Sequence, residues 1–208
     1  MNVIHQLMAY AGPFLLFAVV VVLLYKPTRE QTLGLTAALF AVYFVVALLP
    51  IGGISVIGYV RVVTGDLSIT TLALLINALL ARMLADPPLD DPSRRLVLIA
   101  VALTALAFYP LALGLSPFDP YRLGYAPVVL GAALLGLSLW AWFAGYRAAA
   151  MFILVPVAAY DLQLLESTNL WDYLLDPWVS FYAWGWIVYS GIQRWRRRSK
   201  VAPQQSST

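Results

Sequence analysis

The sequence has no cysteine, a single histidine, and only 11% charged residues over its 208 positions. Without cysteine the chain cannot form a disulfide, a thiolate nucleophile, an iron–sulfur cluster or a cysteine zinc site. The single histidine, His5, excludes multi-histidine metal centres and most histidine-based catalytic triads. We therefore expect neither a metal site nor a bound cofactor.

Long apolar runs dominate the chain instead. Hydrophobic residues make up 62% of it and the mean hydropathy is +0.82, whereas soluble domains average about 45–50% apolar residues. A membrane-spanning helix needs about 20 mainly apolar residues, so windows of that size between charged or turn-rich breaks are read as spans. The sequence predicts an all-α, polytopic integral membrane protein, with one helical domain over residues 1–200 and seven membrane helices. The predicted spans are 7–25, 32–50, 67–85, 96–113, 126–143, 148–165 and 178–193.

The basic residues give the orientation, because cytoplasmic loops carry an excess of lysine and arginine. Seven spans leave Arg61 and Arg122 on one side and the other eleven of the 13 basic residues on the opposite side. That larger group consists of Lys26, Arg29, Arg82, Arg94, Arg95, Arg147, Arg194, Arg196, Arg197, Arg198 and Lys200. We therefore predict an outside N-terminus and an inside C-terminus. The surplus of arginine over lysine, with abundant alanine and leucine, favours a bacterial inner (plasma) membrane.

The C-terminal end combines a basic and a polar segment. The basic segment, residues 194–200, directly follows the last predicted span, where such charges bind anionic lipid headgroups rather than nucleic acid. Residues 201–208 are polar and predict a disordered cytoplasmic tail. Membrane lipids and a partner membrane protein are the expected partners.

One carboxylate falls inside a predicted span. Asp161 lies four residues before the end of the sixth span, and a carboxylate in the hydrocarbon costs roughly 2.5–3.5 kcal/mol on insertion scales. Two interpretations stay open. Asp161 is either a proton, ion or substrate site near the outer leaflet, or a structural partner of Arg61 or Arg122.

Charged residues also collect in the predicted outer loops. We hypothesise that Arg61 and Arg122 turn inward, pair with Asp161 and Asp119, and frame an outward-facing pocket lined by tyrosines. The candidate catalytic residues are Asp161 and Asp119, and the candidate substrate-binding residues are Arg61, Arg122, Tyr121 and Tyr160, with Tyr125 beside them.

Other polar residues have structural interpretations. Asp91, Asp119 and Asp176 each precede a proline, a pattern typical of a helix N-cap. Asn77, in the third span, is expected to hydrogen-bond a neighbouring helix. The apolar break 51–66 predicts a short helix or re-entrant segment at the outer interface.

Three function classes agree with these features. The favoured one is an accessory or assembly subunit of an envelope-facing membrane complex, because short loops and the lack of a catalytic set indicate a role in packing. The alternatives are a membrane-embedded transferase or hydrolase acting on a lipid-linked substrate at the outer leaflet, and a small proton-coupled permease that uses Asp161.

Overall fold

The computed structural model describes residues 3–25, 28–84 and 86–201, and the regular secondary structure of this part of the chain is helical apart from one small hairpin. The prediction of an all-α fold is confirmed. The helices are α1 (Val3–Tyr25), α2 (Arg29–Leu48), α3 (Val56–Thr64), α4 (Ile69–Met83), α5 (Asp91–Pro110), α6 (Val128–Phe143), α7 (Arg147–Asp161), α8 (Leu170–Leu174) and α9 (Pro177–Val201). A π-helical turn over Leu111–Leu115 extends α5, and a 3-10 helix covers Pro120–Gly124.

Each predicted span overlaps one helix, but the helix lengths differ from those predicted. Among the described residues, two helices are long and apolar enough to cross a membrane, over Ile4–Leu24 and Asp91–Leu115. Helices α4 and α7 have 15 residues each and are therefore about 22 Å long, shorter than the roughly 30 Å hydrocarbon layer. The number of membrane crossings stays a prediction.

The segment between α2 and α4 forms a hairpin and a short helix. Strands β1 (Pro50–Ile51) and β2 (Ile54–Ser55) pair antiparallel, and α3 follows directly with Ser55 as its N-cap. The Tyr59 hydroxyl donates to the Ile51 carbonyl oxygen at 3.0 Å, which holds α3 against the hairpin. The short helix predicted in this break is present, whereas the hairpin was not predicted.

Two apolar cores hold the helices together. The larger joins α4 to α9 around fully buried side chains such as Leu98 and Tyr173. The smaller packs α1 against α2 and α4 around Ala18 and Val22. Between α1 and α2, the Tyr43 hydroxyl also donates to the Tyr10 carbonyl oxygen at 3.1 Å.

Helices α6 and α7 form a hairpin around a tight corner. Gly145 has φ +91°, a left-handed conformation that glycine adopts readily, and α7 begins two residues later. The buried Ser138 hydroxyl donates to the Ala150 carbonyl oxygen at 2.8 Å, so a hydrogen bond joins the two helices near the corner.

Helix α9 is longer than the span predicted for it and continues through the basic segment to Val201. The predicted tail therefore begins inside a helix. Its remaining part, residues 202–208, lies outside the described residues.

Candidate functional site

Several short polar segments lie at the end of the helices that the charge pattern predicts to be outside. We call it the predicted outer end. It consists of residues 65–68, the 3-10 helix with its flanking loop, and residues 162–176, including α8. These segments are short, and side-chain hydrogen bonds between them replace regular backbone pairing.

Asp172, in α8, is at the centre of this network. The Tyr121 hydroxyl lies 3.1 and 2.9 Å from its two carboxylate oxygens, and the Ser167 hydroxyl donates to Oδ2. Burial raises the pKa of Tyr121, and its hydrogen bond to Asp172 raises that pKa further. Both effects keep the Tyr121 hydroxyl protonated, so that it acts as the donor to the carboxylate.

Asn169 and Trp171 connect α8 to the 3-10 helix. The Asn169 side chain accepts from the Trp171 backbone N–H at 2.9 Å, which caps α8, and donates to the Tyr121 carbonyl oxygen at 3.0 Å. The Trp171 indole N–H donates to the Pro120 carbonyl oxygen at 2.8 Å. Gly124 lies directly against Asn169 and Trp171, where any side chain would overlap them.

Asp176 joins the beginnings of two helices. Its Oδ1 accepts from the Val179 backbone N–H at 2.8 Å, so the N-cap predicted at Asp176 is confirmed. Its Oδ2 accepts from the Ser68 backbone N–H at 2.7 Å and from the Thr71 hydroxyl. The buried carboxylate is therefore held by hydrogen-bond donors from α4 and α9, and no described residue forms an ion pair with it.

Tyr173 closes the loop between α7 and α8. Its hydroxyl is 3.1 Å from the Leu165 carbonyl oxygen, the Ser167 carbonyl oxygen and the Leu165 backbone nitrogen. Burial raises the pKa of Tyr173. The side chain is fully buried and lies edge-on to Tyr160, with 5.3 Å between ring centroids.

Two cavities lie beside this network and share part of their lining. The first, of about 320 Å³, has a mixed lining, and its polar side chains include Asp66, Tyr109, Tyr121, Ser167, Asp172 and Asp176. We call it the acidic cavity. The second, of about 250 Å³, is lined almost entirely by apolar side chains of α4, α5, α6, α7 and α8, and we call it the apolar cavity. Trp171 and Leu175 line both.

The predicted arginine–aspartate pairs do not form. Arg61 pairs with Asp66, with Nη2 2.8 Å and Nε 3.2 Å from Oδ1. Arg122 and Asp161 are exposed, and neither belongs to an ion pair within the described chain. The physical reason is proximity: Asp66 is five residues from Arg61 and needs no distant loop to reach it.

The other candidate residues have local contacts. Asp119 is exposed and caps the 3-10 helix by accepting from the Tyr121 backbone N–H at 2.9 Å, as its Asp-Pro pattern predicts. The Tyr160 hydroxyl donates to the Thr168 carbonyl oxygen at 3.3 Å, and Tyr125 packs edge-on against Tyr121. Of the six candidate residues, Tyr121 alone lines the acidic cavity.

Asp172 and Ser167 were not among the residues predicted for the site. The available signal was the density of polar residues between the last two spans, which holds Glu166, Ser167, Asn169, Asp172 and Asp176 within eleven positions. Among the described residues, no group of three or more histidine, cysteine, aspartate or glutamate side chains is arranged to hold a metal ion.

Comparison with protein-family models, curated proteins and solved structures finds no match for this chain.

Proposed function

We propose that this chain is a multi-pass membrane protein with seven spanning helices and an inside C-terminus, located in a bacterial inner membrane. Support comes from the charge asymmetry and from large apolar side chains that are exposed on the helices. Val128 and Phe143, at the two ends of α6, are 82% and 83% exposed. Apolar surface of this kind is stable in contact with lipid or with a partner membrane protein rather than with water.

Its proposed role is that of an accessory subunit that binds a lipid-anchored molecule at the outer face. One observation supports this most: the acidic and the apolar cavities share Trp171 and Leu175. A ligand with a polar head and a hydrocarbon tail would match this pair of a polar and an apolar cavity. The hydrocarbon tail would enter between α5, α6 and α7, and the polar head would lie beside Asp172.

The polar groups of the acidic cavity favour a head rich in hydroxyl or amine donors. Three carboxylates line it, of which Asp66 is already paired with Arg61. Carboxylates accept hydrogen bonds and repel a second anion. A sugar or an amine therefore fits this cavity better than an unneutralised phosphate does.

Binding without covalent turnover agrees with the way these carboxylates are held. Asp172 and Asp176 already accept hydrogen bonds from hydroxyl and backbone donors, whereas a general base must accept its proton from the substrate. Asp161 and Asp119 are the bases of the enzyme alternative, and Asp161 is the coupling residue of the permease alternative. A test that measures turnover and transport together with binding separates the three classes.

The test uses a pair of neighbouring alanines in α6. Ala133 lines the apolar cavity and Ala132 does not, although both are exposed. The full-length chain is purified from bacterial membranes, and the retained lipids are identified by mass spectrometry. We expect one lipid class with a sugar or amine head in the wild type and in Ala132→Trp, and its loss in Ala133→Trp.

Two outcomes contradict the proposal. One is equal retention of lipid in both variants, which would show that the apolar cavity is not used. The other is conversion of the retained lipid to a product, or flux of a solute into proteoliposomes, which would support the enzyme or the permease.

A further inference from the structure

A third cavity lies between α4 and α7, near the opposite end of the helices. Its volume is about 520 Å³, and it opens between the two helices beside the exposed apolar side chains Ile76 and Met151. Apart from Asn77 and Arg147 its lining is apolar, and it contains no acidic side chain. We call it the α4–α7 groove.

Arg147 provides the positive charge of this groove. It is the first residue of α7 and lines the groove, and its guanidinium carbon lies 5.7 Å from the centroid of the Trp142 ring. No described side chain caps the first turn of α7, so the N–H groups of that turn add a positive helix end beside the guanidinium.

Asn77 provides a second donor. The residue is buried, with 7% of its surface exposed, and its Oδ1 accepts from the Leu89 backbone N–H at 2.9 Å. Its amide nitrogen donates to no atom of the described chain, and the residue lines the groove. No fully buried side-chain nitrogen of the described chain lacks a partner, so this amide nitrogen is accessible and can donate to acceptor oxygens of a ligand in the groove.

The groove therefore combines a cation, a helix N-terminus and a free amide donor with an apolar channel. From Arg147 to Val155, the last groove residue of α7, the helix rises about 12 Å, close to the roughly 15 Å of one hydrocarbon leaflet. We propose that the α4–α7 groove binds one anionic phospholipid, with the phosphate at Arg147 and Asn77 and an acyl chain along α7. Its assignment to the inner leaflet rests on the proposed topology.

The experiment compares lipid retention in nanodiscs. The full-length chain is placed in phosphatidylcholine doped with phosphatidylglycerol, and the lipids that stay bound are counted by native mass spectrometry. Both leaflets contain both lipids, so the result does not depend on orientation. It also does not depend on the outer-end ligand, because neither of the outer-end cavities includes Arg147.

The variants separate this site from general surface charge. Arg147→Gln removes the cation of the groove, and Arg95→Gln removes an exposed cation that is predicted on the same side but outside the groove. We expect phosphatidylglycerol retention to fall about fivefold in Arg147→Gln and to stay unchanged in Arg95→Gln and Arg147→Lys. Asn77→Asp keeps an acceptor for the Leu89 N–H but replaces the amide donor, and should lower retention as well.

Three results would overturn the proposal. The first is retention of the two lipids by the wild type in proportion to their fractions in the nanodisc, a result that needs no variant and so stands even if a variant fails to fold. The second is unchanged phosphatidylglycerol binding in Arg147→Gln. The third is an equal loss in Arg147→Gln and Arg95→Gln, which would reveal a diffuse charge effect without a site.

Discussion

Gly124 and Asn169 approach so closely that a side chain on Gly124 would overlap the amide group of Asn169. Asn169 is itself fixed by hydrogen bonds to the Trp171 backbone N–H and the Tyr121 carbonyl oxygen, so it cannot move aside without breaking them. The contact joins two segments that are far apart in sequence and positions α8 beside the acidic cavity.

Gly124→Ala is therefore expected to lower the free energy of unfolding by about 1–3 kcal/mol, because the new methyl group forces Asn169 out of place. Thermal unfolding of the purified chain in detergent measures this. Gly131→Ala, in α6 where a Cβ meets nothing within 4 Å, is the control and should be neutral or slightly stabilising. Equal effects of the two substitutions would contradict the proposed role of the close contact.

Asp176→Ala should destabilise the chain by about 2–4 kcal/mol, because it removes the acceptor of the Val179 N–H, the Ser68 N–H and the Thr71 hydroxyl at once. Chemical or thermal unfolding measures the loss. Asp161→Asn is the matched control for a carboxylate, and because Asp161 is exposed its effect should stay within about 0.5 kcal/mol. A stable Asp176→Ala variant would show that water replaces the carboxylate.

Stability should fall with pH above about 10, the ordinary pKa of tyrosine. The pKa of Tyr121 is raised in the folded chain by burial and by Asp172, and that of Tyr173 by burial. As the pH rises past 10, the unfolded chain releases these protons first, so the unfolded state is favoured; below that pH the stabilising contribution is fully present.

Melting temperatures between pH 8 and 11 test this expectation in the wild type and in Tyr121→Phe. Tyr121→Phe should reduce the slope with which stability falls with pH, by at most the contribution of one bound proton. It should also lower stability at neutral pH because Asp172 loses its tyrosine donor. Tyr189→Phe, at an exposed tyrosine of α9, is the control and should leave stability at neutral pH unchanged.

Neutralising the basic segment should make the orientation of the last helix less reliable. Replacing its five charges by glutamine removes almost half of the basic residues predicted to be inside and leaves six of them to set the topology. A C-terminal reporter that is active on one side of the membrane measures the mixture of orientations. Arg61→Gln with Arg122→Gln is the control, because it removes only predicted outside charges. An unchanged orientation in both would show that the remaining six residues suffice.

The sequence predicted helices well where a local pattern decides them. Each of the seven apolar runs overlaps a helix of 15 residues or more, and the Asp-Pro pattern identified the caps at Asp119 and Asp176. The prediction for Asp91 was wrong by one residue, since Asp90 accepts from the Ser93 N–H and caps α5. Helix ends depend on side-chain geometry that hydropathy does not report, so the predicted span limits differ from the observed ones.

The site was harder to predict because its contacts join distant segments. Tyr121 and Asp172 are 51 positions apart, and no local pattern indicates that they meet. Asp161 drew attention because it lies in an apolar run, yet it is exposed near the end of α7. Asn77 was expected to bond a neighbouring helix, and it bonds instead the Leu89 N–H in the loop before α5.

The tight corner at Gly145 also has a consequence for the order of events during synthesis. Because the Ser138 hydroxyl and the Ala150 carbonyl oxygen are only 12 positions apart, α6 and α7 can pair as soon as both have left the ribosome. Asp172 and Asp176 are added later. The hydrogen bonds of Asp172 and Asp176 at the predicted outer end can therefore form only after the α6–α7 hairpin has been synthesised.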